Sequence, residues 1–295
     1  MSKYILSCCS TADLSEEHFK KIEVPFVSFT FEMDGKQYVD DLGKSINFDD
    51  FYKRVGEGAN VKTSQVNEKQ FEEFFEKYLK DGYDVLHVCL SSGISGVINS
   101  ANMAKNVLSA KYPDRKILLL DSLSASSGYG LLIDMMAKKK KEGMSIEELY
   151  EWGEKNKLKV HHWFFTTDLT CFIRGGRVSK TAGFVGKMLS ICPLLNVDYK
   201  GALIPREKIR GKHNVIDRIV EKMKEHAEGG LNYSGKCYIS NSACLADAEE
   251  VAKKVEETFK SLDGKVLINN IGTVIGCHTG PGTVALFFYG DERVD

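Results

Sequence analysis

Short apolar runs and amphipathic stretches alternate along the first half of the chain. Tyr4 to Cys9, Val24 to Phe31, Asp84 to Leu90 and Lys116 to Leu120 are of strand length and read as strands. The segments between them carry apolar residues at helical spacing. In the clearest, Asn67 and Gln70 form a capping-box pattern ahead of Phe71, Phe74, Phe75, Tyr78 and Leu79, which share one helical face. A second helix is expected from Ser95 or Gly96 to about Leu108, and Leu131, Leu132, Met135 and Met136 mark a third. The run Lys138 to Lys141 suits that helix's C-terminus ahead of Gly143, and Ser145 with Glu148 opens the next. Strands alternating with helices predict a layered, parallel α/β sheet.

The second half changes character. Val160 to Thr166 reads as a strand, followed by the loop Arg174-Gly175-Gly176-Arg177. Pro193 to Asp198 and Ala202 to Ile209 flank a turn at Lys200-Gly201, as a hairpin does. Helices around Asn214 to Lys224 and Ala246 to Phe259 alternate with strands at Cys237 to Ser240 and Val266 to Asn269. Ile271 to Cys277 and Thr283 to Tyr289 are read as two closing strands around a Gly-Pro-Gly turn. The expectation is two α/β domains, 1–158 with a parallel sheet and 159–295 with a mixed one.

Composition narrows the function classes. The 295 residues carry 40 Lys plus Arg against 41 Asp plus Glu, a balance that disfavours a dedicated nucleic-acid binder. No run of 18 apolar residues exists to span a membrane, and Met1 to Leu6 is too short and polar for an export signal, so a cytoplasmic protein is expected. None of the eight cysteines forms a C-x-x-C pair, and several sit in apolar runs, so reduced, buried thiols are expected rather than disulfides or zinc.

The candidate chemistry lies in loops. Ser91-Ser92-Gly93-Ile94-Ser95-Gly96 joins a strand to a helix, where free N–H groups and hydroxyls suit an anion; capping of the helix by Ser95 is the plainer reading. It is neither a P-loop nor G-x-G-x-x-G. Lys62-Thr63-Ser64-Gln65 offers hydroxyls ahead of the Phe-rich helix, either to cap it or to face a ligand. His278 sits in a Gly-rich turn, poised to donate to a carboxylate or to hold the turn together. A nucleophile–His–acid hydrolase would need an elbow that is absent here. His161-His162 lacks the spacing of a metal motif, and no metal or cofactor is expected. Trp163-Phe164-Phe165 and Phe184 to Leu189 read as ordinary core, with a tunnel wall as the alternative.

In order and spacing, six blocks resemble the DegV family over nearly the whole chain. They are Thr63-Ser64-Gln65, Ser91 to Gly96, Asp121-Ser122, Arg174 to Arg177, Lys208 to Lys212 and Gly276 to Gly282. The resemblance implies a two-domain protein that holds a long-chain fatty acid between its domains. Thr63 and Ser95 would hold the carboxylate, with His278 close by and Ser64 and Gly96 in the same ligand-binding loops. It further implies a bacterial binding subunit, itself no enzyme, that presents the acid to a separate ATP-dependent fatty acid kinase. Arg177 and Arg210 would dock that partner or brace loops. The chain departs from the family at Cys8-Cys9-Ser10, where Thr-Asp-Ser is usual, and at Val66-Asn67, where Pro-Ser is usual. The competing expectation is an enzyme acting on an acyl or phosphoryl substrate with the same Ser, Thr and His loops.

Overall fold

The structure is a computed structural model that describes residues 3–179 and 190–294. In chain order the first half runs β1 (Tyr4–Cys9), α1 (Glu16–Ile22), β2 (Phe26–Val27), β3 (Thr30–Met33), β4 (Lys36–Val39), α2 (Phe48–Gly56), β5 (Val61–Ser64) and α3 (Glu68–Lys80). It continues with β6 (Asp84–Cys89), α4 (Val97–Lys111), β7 (Ile117–Asp121), α5 (Ser126–Lys141) and α6 (Ile146–Asn156). Strands β2-β1-β6-β7 form a parallel sheet whose central strands, β1 and β6, are almost wholly buried, as helices on both faces require. The capping boxes at Asn67/Gln70 and Ser145/Glu148 form as their spacing predicts.

Two expectations of this half are corrected. The run Val24 to Phe31 is not one strand. Its first part, β2, pairs with β1, and then the chain leaves that sheet at Ser28-Phe29, where Ser10 Oγ accepts the Phe29 N–H at 3.1 Å. Its last residues begin β3, the centre of a separate antiparallel sheet in the order β4-β3-β5. The Thr63 segment is accordingly strand β5 rather than a loop.

The second half runs β8 (Val160–Thr166), α7 (Thr170–Arg174), β9 (Ile191–Val197), β10 (Leu203–Arg210), α8 (Lys212–His226), β11 (Tyr238–Asn241) and α9 (Leu245–Thr258). It closes with β12 (Leu267–Asn270), α10 (Thr273–Thr279) and β13 (Thr283–Tyr289). Its sheet has the order β10-β9-β8-β13-β11-β12, antiparallel except for β11 beside β12, so the expected mixed sheet is present. The expected strand Ile271 to Cys277 is instead helix α10. Its β-branched residues favour a strand in isolation, but tertiary packing overrides that preference. Tyr52 donates its hydroxyl to the Ile271 carbonyl at 2.7 Å, and Thr273 donates to the buried Asp40 at 2.7 Å, fixing the start of the helix.

Alternation along β8 and β13 separates two cores. Trp163, Phe165, Leu286 and Phe288 pack under α8 and α9, while Phe164, Ala285 and Phe287 face the parallel-sheet half. All eight cysteines are free, six of them buried. Cys9, at the position of the missing family acid, is wholly buried and directs its Sγ toward His87 Nε2 at 3.5 Å, into the core of the parallel sheet.

Arg293 ties three stretches of backbone together. Only 4% exposed, it donates from Nη1 to the carbonyls of Asp198 (2.9 Å) and Val197 (3.3 Å). From Nη2 it donates to Leu123 (2.8 Å) and Lys157 (3.2 Å), and from Nε to Leu158 (3.4 Å). The guanidinium thereby joins the loop after β7, the approach to β8 and the end of β9. Arg293→Ala should destabilise the fold by about 3–5 kcal/mol, because several buried carbonyls lose a charged donor at once. Arg293→Lys should recover less than half of that, lacking the planar fork. Urea denaturation measures both, and a loss below about 1 kcal/mol for the alanine variant would refute the assignment.

Candidate functional site

A cavity of about 220 Å³ lies between the parallel-sheet half and the face of the mixed sheet that carries Phe164 and Phe287. Its walls are mainly apolar: Phe29, Leu90 and Ile94 from the first half meet Phe164, Phe172, Val274 and Phe287 from the second. The polar lining includes Thr63, Gln65, Ser95, Arg177 and His278. Few polar groups on a mostly apolar wall is the pattern of a small-molecule site.

Each polar group arrives from a different element. Thr63 stands on β5 opposite Phe31 of β3, and strand alternation turns it inward. The same alternation leaves Ser64 exposed and off the cavity wall. His278 lies in the last turn of α10, with Nε2 2.9 Å from Thr63 Oγ1. Its other nitrogen, Nδ1, is buried without a hydrogen-bond partner and packs on Gly175, where any Cβ would collide with it. The Gly-Gly loop is thus a cradle for this ring. Further along, Gly280 adopts φ +65° against Cys171, a conformation that glycine adopts without penalty.

The loop after β6 supplies Ser95. Its Oγ accepts the Val97 N–H at 3.3 Å, a local turn that leaves the hydroxyl hydrogen free to donate. Gly96 is the N-cap of α4, and a Cβ there would stand 3.4 Å from the Gln65 carboxamide. Ser91, from the same block, is wholly buried and structural: it donates to the Gly201 carbonyl at 2.8 Å across the two halves. Arg177 is half-buried and spans two loops, donating to the carbonyls of Ile94 (3.1 Å) and Gly175 (2.6 Å). Bracing is therefore the geometry observed for Arg177. Arg210 is exposed at the end of β10 and does not line the cavity.

Sequence reasoning missed Gln65, Ser126, His162 and Thr283 as lining residues. His162 could have been found from strand alternation once β8 was placed with Phe164 on the cavity side. Its Nδ1 donates to the Val160 carbonyl at 2.9 Å and its Nε2 accepts the Ala125 N–H at 3.3 Å, so the ring is neutral and fully engaged. Of the two Phe-rich stretches, Trp163 to Phe165 splits, with only Phe164 on the cavity wall. Phe184 to Leu189 lies outside the described residues.

Burial, with the nearby cations Arg177 and Arg174, lowers the pKa of His278 to about 4. An unfolded imidazole takes up its proton as pH falls through about 6.5, whereas the folded ring stays neutral until about 4. The contribution of neutral His278 to stability is therefore complete above about pH 6.5 and is lost progressively as pH falls toward 4. His278→Gln should unfold at pH 5 with the uptake of about one proton fewer than the parent, read from the slope of unfolding free energy against pH. Identical slopes would mean that His278 titrates normally.

The comparisons with known proteins agree in direction. A family model described as "Uncharacterised protein, DegV family" matches residues 9–291. A DegV domain-containing protein of Clostridium perfringens is 36% identical over 293 residues, with 99% of each chain covered. Among solved structures, a DegV lipid binding protein from Thermotoga maritima is 28% identical with a TM-score of 0.84, covering 99% of both chains. A second Thermotoga maritima protein, described as revealing fatty acid binding function, is also 28% identical, with a TM-score of 0.81 and coverage of 99% and 100%. No helix among the described residues is long and apolar enough to cross a membrane.

Proposed function

The chain belongs to the DegV family, and we propose that it binds one long-chain fatty acid in the cavity between its two halves, 1–158 and 159–295. The observation that carries this reading is the apolar cavity bordered by a linked set of donors. The similar Thermotoga maritima proteins, described as lipid binding and fatty acid binding, support it.

The acyl tail supplies the driving force. At roughly 0.8 kcal/mol per buried methylene, a 16-carbon chain gains about 10 kcal/mol before association costs. The head group fixes orientation. When His278 Nε2–H donates to Thr63 Oγ1, the Thr63 hydroxyl hydrogen is left to donate into the cavity. Ser95 adds a second hydroxyl donor and Arg177 supplies positive charge nearby, while Gly96, the N-cap of α4, is off the cavity wall. A carboxylate accepting from these groups is held at a defined place, and Ser64 takes no part.

The DegV-like blocks further support a role in presenting that carboxylate to an ATP-dependent kinase subunit, with exposed Arg210 as a docking residue. The chain has no Walker-type loop of its own. The enzyme alternative, in which the same loops turn over an acyl or phosphoryl substrate, is favoured by no observation in the cavity.

Purified protein should carry one equivalent of a fatty acid of about 14–18 carbons, because the tail term exceeds any head-group contact. Mass spectrometry of a denaturing extract reads this directly, and a nucleotide in place of lipid would overturn the assignment. Ser95→Ala should weaken binding by roughly ten- to a hundredfold, the cost of one hydrogen bond to a charged acceptor. Thr63→Ala, Ser95→Ala should weaken it further without abolishing it. Titration with a fluorescent fatty acid measures these losses, with exposed Ser92→Ala as the control; unchanged affinity in the double variant would place the carboxylate elsewhere. Incubated with ATP, Mg²⁺ and fatty acid, the chain alone should make no acyl phosphate, and turnover in a kinase-free preparation would favour the enzyme reading.

A further inference from the structure

The sheet that walls the cavity carries a second polar cluster on its opposite face. Side chains alternate along β8, so His162 faces the cavity while His161 faces the side covered by α8. After β13 the chain brings Asp291 alongside. His161 Nε2 lies 2.8 Å from Asp291 Oδ1 and 3.0 Å from the Asp291 carbonyl oxygen. His226, the last residue of α8, places Nδ1 3.3 Å from the same carboxylate. The three ligand atoms all lie within 4.8 Å of one another.

We propose that His161, His226 and Asp291 form a binding site for a divalent cation of the zinc type. Two imidazole nitrogens and one carboxylate are a borderline donor set, suited to Zn²⁺ and unlike the all-oxygen sets that hold Mg²⁺ or Ca²⁺. Around a tetrahedral ion, bonds of about 2.0–2.1 Å put neighbouring ligand atoms roughly 3.3 Å apart. The two contacts to the Asp291 carboxylate, 2.8 and 3.3 Å, are already near that spacing, and binding would draw the three ligand atoms, now within 4.8 Å of one another, together to it. Binding requires the tautomer of His161 with its proton on Nδ1, freeing the Nε2 lone pair. Asp291, with 60% of its side chain exposed, leaves the remaining coordination position toward solvent.

The ligands are held in place by packing that owes nothing to an ion. The His161 ring stacks on Phe288 at 5.1 Å with an interplanar angle of 4°, and His226 stacks on Trp163 at 5.7 Å and 16°. The two imidazole planes lie within 19° of parallel with centroids 4.8 Å apart, and because a ligating lone pair lies in the ring plane, binding one ion through both rings requires His226, at the end of α8, to turn out of this stack. Asp291 N donates to the His226 carbonyl at 3.0 Å, and a Cβ at Gly290 would collide with that carbonyl, so a glycine permits the approach. In sequence the three ligands are 65 residues apart, a spacing that no compact motif describes. Bound there, the ion would cross-link β8, the end of α8 and the segment after β13. The proposal is independent of the lipid reading, because it concerns the other face of the sheet.

The test uses the full, tag-free chain, stripped with EDTA and titrated with Zn²⁺ by calorimetry. One Zn²⁺ should bind per chain, and the thermal melt should shift upward with the metal. Ni²⁺ at the same site should quench the emission of Trp163, which lies against His226. His226→Ala and Asp291→Asn should each weaken binding at least tenfold and remove the melting shift. Asp291→Asn keeps the side-chain shape, so it decides the matter if His226→Ala folds poorly. The control is His213→Ala, at an exposed histidine beside Asp217 and Glu250, which should bind as the parent does. Well under one ion per chain, or uptake unchanged in Asp291→Asn, or loss on His213→Ala would each overturn the site.

Discussion

Helix α10 has seven residues, too few for a stable helix in water, yet it carries His278 to the rim of the cavity. It persists because its neighbours come unusually close. At Gly276 a side chain of any size would strike the ring and hydroxyl of Tyr52 and the ring of Phe51. Gly280 lies against Cys171, and Gly175 lies under His278 from the other side. The start of the helix is held by Tyr52 through the Ile271 carbonyl and by Asp40 through Thr273. The histidine is thus placed by glycines and buried hydrogen bonds contributed by four separate stretches of chain, and Thr63 meets it only because β5 has its own sheet to stand on.

That dependence explains what could be read in advance and what could not. Local signals survived: the capping boxes at Asn67 and Ser145, the lysine run ending α5, and the turn at Lys200-Gly201 are satisfied by residues a few positions apart. Features set by distant contacts did not. Ile271 to Cys277 has the composition of a strand and becomes a helix because of its packing. Val24 to Phe31 looks continuous and is shared between two sheets. Thr63, Ser95 and His278 could be named from their blocks; Gln65, although it shares the block of Thr63, and His162, which belongs to no block, are placed on the wall only by geometry. Arg293, which bonds carbonyls from three segments, has no sequence signature at all.

The mixed sheet presents different side-chain sets on its two faces because its side chains alternate. One face of β8 and β13 presents Phe164, His162 and Phe287 to the cavity, and the other buries Trp163, Phe165 and Phe288 beneath helices. Neighbouring histidines therefore experience unlike surroundings. His162 is locked between a carbonyl and an N–H, whereas His161 meets a carboxylate from the far side of the sequence. A substitution on one face acts on the other only through the backbone, so the cavity lining and the Asp291 cluster can vary separately.

The position of β13 also bears on how the molecule is assembled. It lies in the middle of its sheet, between β8 and β11, although all its partners precede it in the chain. Until it arrives, β10-β9-β8 and β11-β12 are two partial sheets, each presenting an open edge that awaits the same apolar strand. The β8–β13 pairing joins residues more than a hundred positions apart and closes slowly, since chain entropy is lost before any contact is gained. The interval before closure is when this chain is most exposed to strand-to-strand aggregation, and a chaperone that shields the β8 edge would act on that step alone.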